Sequence, residues 1–406
     1  MSLAAARPVI SSAAILHPAA ETLAELDVLL RAGQPALRTF DDFSVREWAV
    51  RNVTAEDKKR LAGAVDGRAP LPTRTAACVA LAAVKAAGLD ESEREELTVL
   101  VAGNNLASNY HAAAVADFLS GTHRVRATHL LNSLDTDCLG AVSEVIGCHR
   151  EGWSVGAASA SGSVALMQAA RLVALGVARR CLVVAPVTDL SELDMAAMRL
   201  SGAMAAEPEQ GRDTPPYRPF DEERAGFRYG HAAAAVVVEG LDDAVARGAK
   251  PLAGIGGAAQ RLDGRRTTRP DSAGQVAAMG AALDAAGLAA ADIDYVNAHA
   301  TGSQIGDSTE VAALGTVFAG HRPAVNSTKA LLGHSLCAAG LVEAVAVTLQ
   351  MAGGYCHANP HLRRPLPADL DFVGPAAVDR PIRHALSNSF AFGGINTSVV
   401  LSALGE

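Results

Sequence analysis

Ser159 stands in the run VGAASASGSVA (155–165), where a strand, a turn of small residues and a helix beginning near Ser159 follow one another. A serine on such an elbow faces the positive end of the helix dipole, a position that suits a nucleophile. A second loop, NAHATGSQIGDSTE, has His299 leaving a strand, followed by the hydroxyls of Thr301 and Ser303. In STKALLGHSLCAAGLVEA, Lys329 precedes His334 by five positions and Glu343 lies nine further on. A charged lysine at the head of an apolar helix must find a partner or an aqueous pocket. The loop in SNSFAFGGINTSVV carries Gly393 and Gly394, which reach conformations closed to other residues and can turn amide N–H groups toward a developing oxyanion. Each feature has a plainer reading: a hydrogen-bonded structural histidine, a hairpin turn, a small residue that fits. Together they read as one site.

The elements that would position these loops alternate between strand and helix. Residues 71–90 read as a helix stopping at Gly88, 96–105 as a strand, 111–120 as helical, and the segment before the elbow as a buried strand. Strands follow at 181–189 and 231–240, and a helix within 273–293 ends at Gly287. Residues 294–301 form a strand running into the His299 loop. The Lys329 loop leads into a long helix ending at Gly353, and two strands around the glycine loop close the chain. In such α/β arrangements the loops after strands carry the chemistry. The Pro-, Glu- and Arg-rich stretch 201–222 reads as an irregular surface excursion.

At 406 residues, two core-forming halves are expected. Half the residues are apolar and only 4% aromatic, which suits helices lying close on sheets. A net charge of −8 without basic stripes argues against a nucleic-acid partner. The six cysteines form no CxxC pair and read as free buried thiols of a reducing cytosol, and no ligand spacing suggests a metal. No secretory h-region is evident, and apolar runs look interrupted before the roughly 18 residues of a membrane span, so a cytoplasmic location is expected.

The order of these motifs resembles that of the β-ketoacyl-ACP synthases (ketosynthases), the condensing enzymes of fatty acid and polyketide synthesis within the thiolase superfamily. The resemblance is carried by RPFDEERAGFRYGHAAAAVVVEGLDDAVARGAKPLA (218–253), NAHATGSQIGDSTE, NSTKALLGHSLCAAGLVEA and SNSFAFGGINTSVVL, over nearly the whole chain. It implies a thiolase-like five-layered αβαβα fold of two similar halves, 1–252 with the elbow and 253–406 with the other loops. It implies that His299 and His334 assist decarboxylation of a malonyl thioester and stabilise the enolate. Lys329 would organise the site, with Glu310 and Glu343 supporting it. Thr301 and Ser303 would bind the phosphopantetheine arm. Phe390, Phe392 and Gly393 would form the gating loop, the Phe392 amide completing an oxyanion hole. Acyl carrier protein is the implied partner, its phosphopantetheine arm or CoA carries the substrate, and no other cofactor is implied. The implied assembly is a homodimer, or a heterodimer with a second ketosynthase-like chain.

Three positions depart from the pattern. Ser159 aligns with the family's acyl-accepting cysteine. A thiolate is accessible at a helix N-terminus, whereas a serine needs an adjacent base. His231-Ala232 stands for an expected Glu-Gly, and Ala391 for a glycine between the two gating phenylalanines. The serine leaves several readings: a modified condensing enzyme, a serine-type acyltransferase, a malonyl decarboxylase, a chain-length-factor-like partner subunit, or an engineered Cys-to-Ser trap. Retention of His299, Lys329 and His334 argues against pure scaffolding.

Overall fold

The computed structural model describes residues 6–65, 67–122, 125–206 and 216–405. Residues 207–215 of the expected excursion 201–222 lie outside the described residues.

Eleven strands form the main sheet: β1 (Pro8–Leu16), β2 (Thr98–Ala102), β3 (Gly152–Val155), β4 (Arg180–Ala185), β5 (Ala233–Gly240), β6 (Ala253–Leu262), β7 (Tyr295–Asn297), β8 (Ala324–Asn326), β9 (Asp371–Phe372), β10 (His384–Ala391) and β11 (Ile395–Ser402). Their spatial order is β3-β2-β4-β5-β1 followed by β6-β11-β10-β7-β8-β9. In each run the first and last long strands pair antiparallel with the element beside them, and the rest run parallel. The two runs meet only through Val9–Gly254 and Ile10–Ala253. The chain thus winds the same five-strand order twice, with β9 added at the edge of the second run.

Helices α1 (Leu71–Ala87), α2 (Ser161–Ala174), α3 (Ser272–Ala286), α4 (Gln304–Val317) and α5 (Ala339–Gly353) fill the layers. One core holds α2 and α5 between the two runs of strands; α1 covers the outer face of the first run, and α3 with α4 that of the second. This is the five-layered thiolase-like arrangement. Strand residues alternate between cores: Val236 and Val238 face the middle layer, Ala235 and Val237 the outer one. Strands buried on both faces have no polar side, so β5 reads as the unbroken run AAAVVVEG.

The middle helices cross closely. A Cβ on Gly162 would lie 2.6 Å from the Leu341 amide nitrogen, and one on Gly340 would lie 2.2 Å from Ser163 Oγ. Glycine at both positions lets α2 and α5, and therefore the loops that precede them, come together.

Three expectations change. The strand before the elbow, β3, is the sheet's edge, paired on one side only, and leaves Trp153 42% exposed. The stretch Leu336–Gly353 does reach 18 residues with mean hydropathy 1.6, and 78% of it is buried, since α5 is flanked by strands of both halves. β1 and β6 escaped the sequence reading. Ser11 and Ser12 interrupt β1 yet are buried, Ser12 Oγ donating to Ala83 O at 2.8 Å, while three glycines mask β6.

Candidate active site

The elbow is built by strain and two hydrogen bonds. Ala158 takes φ +47°, a left-handed conformation that an alanine adopts only when its surroundings impose it. Ser161 Oγ accepts the Ala157 N–H at 2.8 Å and donates to Ala158 O at 2.7 Å, pinning the turn. A short 3₁₀ turn, Ala158–Ala160, precedes α2, so the helix proper begins two residues after Ser159.

Ser159 lies 3.1 Å from His334 Nε2. The direction of this bond follows from the other side of the ring. The Leu336 N–H donates to His334 Nδ1 at 3.3 Å, so the neutral imidazole carries its proton on Nε2. His334 Nε2–H therefore donates to Ser159 Oγ. The histidine in reach of the serine is a donor, not a base.

His299 stands edge-to-face with His334, ring centroids 5.7 Å apart, and packs against Phe390 at 6.0 Å. Its Nδ1 is buried without a hydrogen-bond partner. Its backbone is held by Glu310, whose carboxylate accepts the His299 N–H at 2.9 Å and the Ala300 N–H at 2.7 Å. Burial pushes the Glu310 carboxyl up to about 7 despite those bonds. Burial first, and then the charge of Lys329, hold both histidines well below the usual imidazole range, with His334 adding to the effect on His299. Both rings are neutral at pH 7, the form that donates one N–H without carrying charge into the cavity.

Lys329 and Glu343 form an ion pair, each 1% exposed. Burial pushes Glu343 up to about 7 against the pull of the ammonium. Neither residue lines the cavity. Lys329, expected among the residues at the reacting centre, sits behind it, because Glu343 on α5 draws its side chain into the middle layer.

Ser159, His299 and His334 line a cavity of about 820 Å³, together with Thr301, Ser303, Glu310, Phe390 and Phe392. Thr301 Oγ1 donates to Ser303 Oγ at 3.1 Å. Their turn is held by Asp307, whose carboxylate accepts the Gly302 N–H at 3.0 Å and the Phe220 N–H at 2.8 Å. Asp307 went unnoticed in the sequence; an acid on the buried stripe of α4 was the available signal. Asn104, Thr188 and Gln275 also reach the cavity without a motif to announce them, and Phe227 and Cys337 reach it from within the 218–253 and Lys329 motifs.

The glycine loop is a hairpin turn between β10 and β11 and also a cavity wall. Phe390, Ala391, Phe392 and Gly394 line the space, and Phe392 is 41% exposed. Gly393, expected at the gate, does not line it; at φ +87° it turns its N–H to Thr267 O at 3.2 Å. Among the described residues no cluster of His, Cys, Asp or Glu could hold a metal, and all six cysteines are free and buried.

Residues 6–244 match the family model for the β-ketoacyl synthase N-terminal domain, and residues 252–363 match that for its C-terminal domain. The chain belongs to the β-ketoacyl synthase family. It is 33% identical over 334 residues to the polyketide biosynthesis malonyl-ACP decarboxylase PksF of Bacillus subtilis, covering 82% of this chain and 80% of that protein. It is 42% identical to 3-oxoacyl-[acyl-carrier-protein] synthase 2 of Mycobacterium tuberculosis over 185 residues, 45% of this chain and 44% of that one. Among solved structures it is similar to the ishigamide ketosynthase/chain length factor, with TM-score 0.87 and 26% identity over 99% of this chain and 100% of that chain. A β-ketoacyl synthase from Burkholderia phymatum gives TM-score 0.86 and 26% identity over 98% and 100%. Members of the family transfer acyl groups and carry out decarboxylative condensation on carrier-bound thioesters in fatty acid and polyketide synthesis. This chain is an enzyme of that 3-oxoacyl-ACP synthase type.

Proposed function

We propose that the chain decarboxylates a malonyl group carried as a thioester on the phosphopantetheine arm of an acyl carrier protein, releasing CO₂ and leaving an acetyl thioester. The observation that carries this reading is the direction of the Ser159–His334 bond. With Leu336 N–H occupying Nδ1, His334 offers Ser159 no base, and an unassisted serine hydroxyl is a weak acyl acceptor. The donors that decarboxylation requires are retained. His299 and His334 would each donate an N–H toward the thioester carbonyl oxygen. The bond between Cα and the carboxylate breaks, its electron pair forms the enolate held by those donors, and a proton from water completes the acetyl group. Lys329 keeps both rings neutral from behind. Thr301 and Ser303 would receive the pantetheine arm, which needs no further cofactor. The overall similarity to a malonyl-ACP decarboxylase agrees with this assignment.

The same reading places the division between halves at 252/253 and the enzyme in the reducing cytoplasm, to which six free thiols are suited. It also takes the chain as a homodimer. Val115, Phe118, Leu119, Leu130, Leu131 and Leu134 are all exposed, and the edge strand β3 has unpaired backbone groups, both of which suit a second copy.

Intact-mass analysis of malonyl-loaded carrier protein after incubation tests the reaction. Expected is loss of CO₂ from the carrier-bound group, dependent on His299 and His334 and surviving Ser159→Ala. An acyl adduct on Ser159 together with a β-ketoacyl product would overturn the proposal and restore condensation.

A further inference from the structure

We propose that His231 is a positioning residue of this site: through the Tyr229 hydroxyl it ties the cavity wall at Thr188 and Leu190 to the segment that holds His334. His231 is 5% exposed and touches neither Ser159 nor the cavity. Its Nδ1 accepts the Phe40 N–H at 2.9 Å, so the neutral ring carries its proton on Nε2. That Nε2 lies 2.8 Å from the Tyr229 hydroxyl, to which it must donate. The tyrosine proton is then free for Thr188 O, with which it makes a short bond, and the tyrosine oxygen also accepts the Leu190 N–H at 3.4 Å.

Every donor and acceptor in this chain has one consistent assignment, from Phe40 N–H through the imidazole and the phenol to the Thr188 carbonyl. Thr188 and Leu190 line the cavity. On the other side, Tyr229 lies in a bridge with His334: the His334 N–H donates to Arg228 O at 2.7 Å, and the Gly230 N–H donates to His334 O at 3.3 Å. Phe227, from the same segment, meets the His334 ring edge-on at 5.0 Å. Tyr229 thus joins two walls that belong to different halves of the molecule, its phenol bonded to one and its backbone segment to the other. His231 fixes which way the phenol points. An apolar residue of similar size would fill the volume but leave the Tyr229 oxygen one donor short.

The test separates the two ends of the imidazole. His231→Asn keeps an oxygen near the Nδ1 position for Phe40 but loses the donor to Tyr229; His231→Gln reaches Tyr229 with a donor. We expect His231→Asn to lower kcat by about 10- to 100-fold with KM unchanged, as a displaced donor does. His231→Gln should recover most of that loss, and Tyr229→Phe should reproduce it. In a His334→Ala background, His231→Asn should cost nothing more. Equal losses in the Asn and Gln variants, or full additivity with His334→Ala, would overturn the proposal. The rate assay rests on the decarboxylation proposed above, so a second readout needs no turnover. The ¹⁵N signal of His334 Nε2 in labelled protein should shift in His231→Asn and return in His231→Gln. An unmoved signal in folded His231→Asn sinks the inference, whereas a signal that moves in His231→Asn, when the wild-type protein does not decarboxylate, sinks only the assigned reaction.

Discussion

In the first half Ala158 takes φ +47° and Ser159 heads α2; in the second Leu336 takes φ +53° and Cys337 heads α5. Each elbow is a 3₁₀ turn ahead of a middle-layer helix, and both face the same cavity. The same strained geometry, on matching strand orders, serves different ends. The loop after β2 brings Asn104 and Asn105 to the cavity, while the loop after β7 brings His299, Thr301 and Ser303. The second half also supplies His334, Lys329 and Glu343. One half thus contributes an oxygen atom, and the other contributes the N–H donors and the charge that keeps them neutral. Losing a strong nucleophile from the first half therefore leaves the second half's chemistry standing.

The buried ion pair is where this asymmetry breaks most visibly. Lys329→Met leaves Glu343 uncompensated in the middle layer and should cost about 3–5 kcal/mol in urea unfolding. Lys329→Met combined with Glu343→Leu should regain most of that stability. With the ammonium gone, the His299 and His334 pKa values should move upward, readable by NMR titration.

Next in size is the loss of either donor. His334→Ala and His299→Ala should each lower the decarboxylation rate by about 10²–10³-fold in a steady-state assay. Asn104→Ala, the counterpart change in the first half, should lower it far less. Equal losses on both sides would erase the division of labour.

A third test uses pH. Burial brings His357 down to about 4 in the folded state from 6.5, so between those values the folded chain binds fewer protons than the unfolded one. Its contribution is present above pH 6.5 and lost as pH falls toward 4, by at most about 3 kcal/mol. His357→Gln, which keeps a polar partner for Thr328, should flatten that part of the slope of stability against pH in urea titrations. An unchanged slope would show that His357 does not titrate in this range.

The smallest effects contrast two helices. Gly340→Ala should destabilise by about 1–3 kcal/mol, since its Cβ meets Ser163 across the middle layer. Gly280→Ala on α3 meets nothing within 4 Å and should stabilise by about 0.5–1 kcal/mol. Thermal melts of the two variants check the signs.

Much of this is legible in the sequence. Gly88 and Gly287 end their helices in the left-handed conformation, as their places in the periodicity predict. Ser159, His299 and His334 do meet at one cavity. Other residues gave no signal because their importance is relational. Lys329 and Gly393 belong to motifs yet point away from the cavity, one drawn to Glu343 and the other to Thr267. Trp153 follows a strand-like pattern, but whether that strand is central or an edge depends on its neighbours.

The sequence by itself determined the alternating α/β architecture, the family and the chemical types around the cavity, because periodicity, small-residue turns and motif order are local properties. Tertiary structure alone decided which nitrogen of His334 carries the proton and that His231 acts through Tyr229. Those assignments depend on a Leu336 N–H two residues from one ring and a Phe40 N–H far along the chain from the other. A donor's direction is set by where the folded backbone turns its N–H groups, beside the ring or across the fold, and no pattern of residue types encodes it.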